Sequence, residues 1–212
     1  MVCGHANRRV YDETAMRLKI VQLGEAVLRQ RGRELKPGEI KGKEIQDLIE
    51  WMRETMYDAP GVGLAAPQVG LSMQLAVIED RAENFRDAPP EFLKERERKP
   101  VPFHVLINPK ITLDPGENVS FFEGCLSLPG FTGVVARARR VRVDCLDHAG
   151  VPRVINASGW YARILQHEID HLFGTVYVDR MLPRTFMNME NFNRYWKSTS
   201  MADVLKSAQI ET

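Results

Sequence analysis

His167, Glu168 and His171 stand as H-E-x-x-H inside a run, Trp160 to Phe173, whose apolar residues Ile164, Leu165, Ile169 and Leu172 recur at helical spacing. In a helix, residues four apart leave the same face, so both imidazoles can meet one ion. Glu168 lies beside them, where its carboxylate can act as general base on water at that ion without being a ligand. The plainer reading, a polar helix face with two unrelated histidines, sits badly with a helix that is otherwise apolar. Ser158 or Gly159 supplies a cap at its start, and Gly174 a stop.

A catalytic divalent ion typically keeps about three protein ligands, so a third must come from elsewhere. One H-E-x-x-H pattern places another His six residues on, but that position is Tyr177. A second pattern recruits a Glu from a later helix, and Glu190 lies 19 residues past His171 (190 − 171). The remaining candidate is Cys125, in Glu123-Gly124-Cys125-Leu126-Ser127, where Gly124 permits unusual backbone angles and close approach. An isolated Cys is by default a small buried apolar residue. Spacing leaves Glu190 and Cys125 both open.

The rest of the chain supplies the scaffold. From Lys43 to Asp58, Ile45, Leu48, Ile49, Met52 and Met56 recur at helical spacing without Gly or Pro, which predicts an amphipathic helix. Ala59 to Gly70 is too rich in Gly and Pro for helix or central strand and predicts a tight loop. Strands are predicted at 75–78, 105–107, 119–123 and 141–146, the last returning through Asp147-His148-Ala149-Gly150 to a partner at 151–157. The charged, Pro-containing stretch from Asp80 to Pro102 reads as a solvated excursion or lid, and 190–206 as a final helix. These elements predict an α+β fold, antiparallel strands in hairpins packed around a central metal-binding helix. A tail over 1–17, a catalytic domain over 18–182 and a helical extension over 183–212 are expected.

Lys and Arg number 29 against 28 for Asp and Glu, a net charge of +1 that exerts no general pull on nucleic acid or anionic membrane. A small or peptide-like partner fits better. The three cysteines argue against a disulfide framework and for a reducing compartment. No apolar run approaches the roughly 18 residues of a membrane span, and no secretory signal core is present. The cytoplasm is expected, with a mitochondrial or plastid matrix as the alternative; Asp12 and Glu13 interrupt the basic N-terminal stretch that a transit peptide would need.

Three motifs, in order, resemble the peptide deformylase family: Gly61-Val62-Gly63-Leu64-Ala65-Ala66-Pro67-Gln68, then Glu123-Gly124-Cys125-Leu126-Ser127, then Gln166-His167-Glu168-Ile169-Asp170-His171. The resemblance covers roughly residues 18 to 182. It implies that Cys125, His167 and His171 bind the metal, with Fe²⁺ the native ion and Zn²⁺, Ni²⁺ or Co²⁺ possible. It implies Glu168 as acid/base, and Gln68 with the Leu126 N–H as donors to the oxyanion. Val62, Gly63 and Gly124 would meet the substrate backbone, and Val62, Trp160 and Ile164 the methionine side chain. The implied reaction removes the formyl group from the N-terminal methionine of new polypeptides, possible near the ribosome. Two other classes compete: a zinc endopeptidase using His167, His171 and Glu190, and a silent relative kept as a binding module, against which Glu168 and Gln68 argue. The chain departs from many bacterial members at Phe131-Thr132-Gly133, where they carry a Glu and an Arg. Segments 157–163 and 183–186 look more like the organellar forms.

Overall fold

A computed structural model describes residues 16–210. Of the expected tail only Met16 and Arg17 are included, and Arg17 pairs with Asp58 at 3.2 Å; the rest of the tail, with Cys3 and His5, lies outside the described residues. Helix α1 is Lys43–Asp58, with the bounds that its periodicity predicts. Ile45, Leu48, Ile49, Met52 and Met56 are all buried, and each fully buried side chain of this size contributes about 1.5–3 kcal/mol.

That apolar face packs on a five-stranded antiparallel sheet. Its strands are β1 (Gly63–Ala65), β2 (Leu75–Asp80), β3 (Val101–Leu113), β6 (Arg140–Leu146) and β7 (Pro152–Ser158), neighbours in that order. The Asp147 carboxylate closes the β6–β7 turn by accepting from the Ala149 and Val151 N–H groups, both at 2.9 Å. A second sheet joins β4 (Asn118–Cys125), β5 (Leu128–Ala138) and the short β8 (Met187–Asn188). Helix α3, Gly159–Leu172, touches strands of both sheets. Mixed helix and antiparallel sheet is the α+β class expected.

Three expectations change. Strand β5 was not foreseen: residues 129–131 are exposed while Thr132, Val134 and Val135 are buried, so no clean alternation marks it. The final helix is interrupted: it runs from Met189 to Trp196, its second part as a π-helix, breaks at 197–200 and restarts as α4, Met201–Ser207, where Ser200 accepts from the Asp203 N–H at 3.2 Å. The Ser-Thr-Ser run at 198–200 favours such a cap over helix interior.

The third change refines the charged excursion: most of residues 81–100 are exposed, as a solvated excursion requires, but the stretch is tied down at a few points. It contains a short helix, α2 (Pro90–Glu95), and clasps the start of α3. Asp80 is fully buried and takes both Nε (2.8 Å) and Nη2 (2.9 Å) of Arg98. The Arg98 guanidinium lies over the Phe85 and Trp160 rings. The Trp160 backbone N–H donates to the Arg96 carbonyl at 2.8 Å. Gly159 makes this possible: at φ +58 it is left-handed, and a Cβ there would stand 2.6 Å from that carbonyl. Charge pairing and cation–π contacts bury Asp80, Phe85 and most of Arg98, while most of the neighbouring charges stay in solvent.

Candidate metal centre

Cys125 closes β4 just before the two-residue turn Leu126-Ser127. The β4–β5 register shifts between Glu123 and Cys125, and such a bulge re-aims the side chain that follows. Gly124 at the bulge is exposed and uses neither the unusual backbone angle nor the close approach that glycine permits: its φ is not positive, and a methyl there would make ordinary contact, 3.5 Å from the Phe131 carbonyl. From α3, His167 and His171 rise to meet the sulfur. One ligand atom from each of the three residues lies within 4.8 Å of the others, and Cys125 Sγ is 3.3 Å from His171 Nε2. Among the described residues no other group of three His, Cys, Asp or Glu converges in this way. Glu190 is exposed and stands outside the cluster.

Behind the ligands lies a buried charge network that the motifs alone did not reveal. Glu123 accepts from His167 Nδ1 at 2.9 Å, from Arg137 Nε and Nη2 at 2.9 Å each, and from Arg163 Nη1 at 2.6 Å. Arg137 continues to Asp170, which Arg180 also grips. Binding Nδ1 in this way turns His167 Nε2 toward the sulfur, the support a metal-ligating imidazole ordinarily has. The signal was present: a carboxylate two positions before the candidate ligand Cys125, in the same motif. Burial works to raise the Glu123 carboxyl, but Arg137 and His167 overcome it and hold the group well below the carboxylate range.

The electrostatics ask for a cation. Burial opposes a charged His167, yet Cys125 and Glu123 on either side raise its pKa well above the ordinary value. Burial, with Arg137 and His167 nearby, pushes His171 well below it, leaving the neutral imidazole that metals bind. A thiol and two imidazoles are a donor set suited to a divalent transition ion.

Glu168 sits beside this cluster, 4% exposed, and its Oε2 has no hydrogen-bond partner. Burial pushes its pKa up to about 7. The carboxylate packs against the Gly63 backbone, where an added Cβ would lie 2.3 Å from Oε1. The Val62 carbonyl accepts from the Glu79 N–H at 3.1 Å, and antiparallel alternation turns the polar groups of Gly63 to the open edge of β1. Gln68 is buried at the opposite wall. Its Oε1 accepts from the Ala65 N–H at 2.9 Å, which leaves Nε2 facing Cys125 Sγ and Ser127 Oγ, each 3.4 Å away. These groups border a cavity of about 380 Å³ whose apolar wall is formed by Val62, Trp160 and Ile164, with Leu126 opposite. Tyr177, which excluded one ligand pattern, is buried and stacks on His167 with ring centres 6.3 Å apart. Cys145 is buried away from the cluster, and burial raises its thiol to about 11.

Known proteins share much of this sequence and this fold. Peptide deformylase 1A, chloroplastic, of Solanum lycopersicum is 47% identical over 174 residues, 82% of this chain and 63% of that protein. Peptide deformylase 1A, chloroplastic/mitochondrial, of Arabidopsis thaliana is 45% identical over 175 residues, 82% of this chain and 65% of that one. The chain thus spans a little under two thirds of either plant protein. A class I type b peptide deformylase from Acinetobacter baumannii, solved with Met-Ala-Ser bound, superposes with a TM-score of 0.70 at 32% identity, covering 79% of this chain and 99% of that one. The polypeptide deformylase family pattern matches residues 17–186, across all three motifs and the elements that carry them, and the chain belongs to that family.

Proposed function

We propose that the protein removes the formyl group from the N-terminal formyl-methionine of newly made polypeptides, releasing formate. The observation that carries this reading is the convergence of Cys125, His167 and His171 beside a buried Glu168, on a cavity with one apolar wall. The Acinetobacter relative, bound to a peptide that begins with methionine, supports the same substrate class.

In this reading α3 is the central, metal-binding helix, and Cys125, His167 and His171 hold one divalent ion. Fe²⁺ is the native choice on family grounds, and the sulfur-containing donor set also accepts Zn²⁺, Ni²⁺ or Co²⁺. When bound, the ion supplies Lewis acidity that lowers the pKa of water from about 15.7 toward neutrality. Glu168 accepts a proton as water attacks the formyl carbon, then returns it to the leaving amine; a carboxyl near pH 7 is suited to both transfers. Gln68 Nε2 and the Leu126 N–H donate to the oxygen that gains negative charge, each such donor typically lowering the barrier by roughly 3 kcal/mol. The methionine side chain lies against Val62, Trp160 and Ile164. Its backbone runs past Gly63, at the open β1 edge, and Gly124.

We assign the chemistry to residues 18–182 and a supporting role to 183–212. The site of action is the cytoplasm, or a plastid or mitochondrial matrix as the plant relatives' names suggest, close to emerging chains and without nucleic-acid contacts. No helix of the described residues is long and apolar enough to cross a membrane. An endopeptidase using Glu190 would need that exposed residue at the ion. One experiment tests the reading: metal analysis of the purified protein, with formate release measured on formylated and unformylated methionyl peptides. Stoichiometric metal with formate released only from formylated peptides is expected. Cleavage of internal peptide bonds, or no formate from metal-loaded protein, overturns it.

A further inference from the structure

Phe131, Phe186 and Met189 are large apolar side chains left 39%, 41% and 36% exposed. They form one patch. The Phe131 and Phe186 rings stack at 5.2 Å with planes 9° apart, and Phe131 and Met189 both line the cavity that holds Cys125 and Glu168. Part of this patch comes from chain beyond the family-matched region, which ends at residue 186. Strand β8 pairs Asn188 with Phe131 and Met187 with Thr132, and the Val134 N–H donates to Thr185 Oγ1 at 2.8 Å. Further on, Phe192 packs edge-on against Phe122 at 4.9 Å, and Val204 and Leu205 bury against Phe122 and Val134. The extension is therefore anchored to the second sheet, and its first turn is carried back to the rim of the cleft.

A peptide whose methionine fills the inner apolar wall must leave the cavity over its rim. The two arginines that border the cavity are already engaged, Arg98 by Asp80 and Arg163 by Glu123. What the rim offers an emerging side chain is a ring face and a thioether. Apolar surface meeting apolar surface releases water from both, and a thioether beside an aromatic ring adapts to varied shapes. We propose that Phe131, Phe186 and Met189 form a shelf that selects large apolar side chains at the second or third residue of the formyl-methionyl chain, over small polar or acidic ones. The inference rests on the deformylase reading for the identity of the peptide. The patch is continuous with that site, and this makes the peptide, rather than a second protein, its occupant.

The test compares formyl-Met-Phe-Ser, formyl-Met-Ser-Phe and formyl-Met-Ser-Ser as substrates by kcat/KM, and the matching unformylated peptides by Kd. Wild-type protein is expected to favour at least one Phe-containing peptide by about tenfold in both measurements, the scale of one apolar side chain in a matching site. The preference should fall to about threefold or less in Met189→Ser and approach unity in Phe131→Ser/Met189→Ser. Circular dichroism checks folding; if the double variant does not fold, Met189→Ser, at an exposed position, carries the test alone. Absence of the preference in wild type, or its survival in the folded variants, overturns the shelf. A preference in Kd that the variants abolish, with no formate released by wild type, keeps the shelf and removes the deformylase reading instead.

Discussion

Helices α1 and α3 bury themselves in opposite ways. Apart from Thr55, α1 buries only apolar residues, Ile45, Leu48, Ile49, Met52 and Met56, against apolar strand residues. Helix α3 buries Ile164, Leu165, Ile169 and Leu172 but also Arg163, Gln166, Glu168 and His171. Its polar groups are costly to desolvate, and such pairs often add little net stability compared with apolar residues of the same size. Where α1 stabilises, α3 spends part of its interior holding charged groups in fixed directions.

The sharpest way to test this contrast is Glu168→Gln. It should leave the folded protein and its metal content unchanged while lowering formate release by about 10²-fold to 10⁴-fold; near-wild-type turnover in a metal-loaded variant would remove Glu168 from its role. Glu123→Ala strands two buried guanidiniums and frees His167. We expect about 3–5 kcal/mol of lost stability in urea titrations and a further 10-fold to 100-fold weaker metal binding. Wild-type metal affinity in that variant would mean that His167 needs no orienting partner. On the other helix, Met52→Ala should cost about 3 kcal/mol through a cavity, with metal stoichiometry per folded molecule unchanged. If metal is lost in step with stability there, the two helices are not separable as described. Smallest of all, Glu190→Ala should change neither metal content nor turnover measurably; loss of the ion would revive the endopeptidase reading.

The same contrast explains what could be read from the chain before its fold was known. Helix α1 and the body of α3 announce themselves by local periodicity, since Leu48 and Met52, or Ile164 and Ile169, fall on one face whatever surrounds them. His167 and His171 were legible for that reason. Cys125 was only one of two candidates until the motifs were compared, because nothing local says which distant element will meet α3. Glu123 stood in the motif, but its arginine partners were illegible: Arg137 lies 14 residues from Glu123 and Arg163 lies 40 away. Similarly, Asp80 and Arg98, 18 positions apart, look like solvated charges until the fold brings them together. Strand β5 hid because its outer half serves the cleft rim rather than a core.

The missing side chain at Gly63 carries a last implication, for comparison among relatives. The Glu168 carboxylate occupies the volume in which any side chain at that position would begin. A relative bearing even alanine there must displace either the strand or the carboxylate, although its H-E-x-x-H signature would read as intact. Such a protein could retain the fold and the three ligand residues while losing the placement of its glutamate. The residue aligned with Gly63 is accordingly a sieve for separating working members from inactive paralogues when only sequences are in hand.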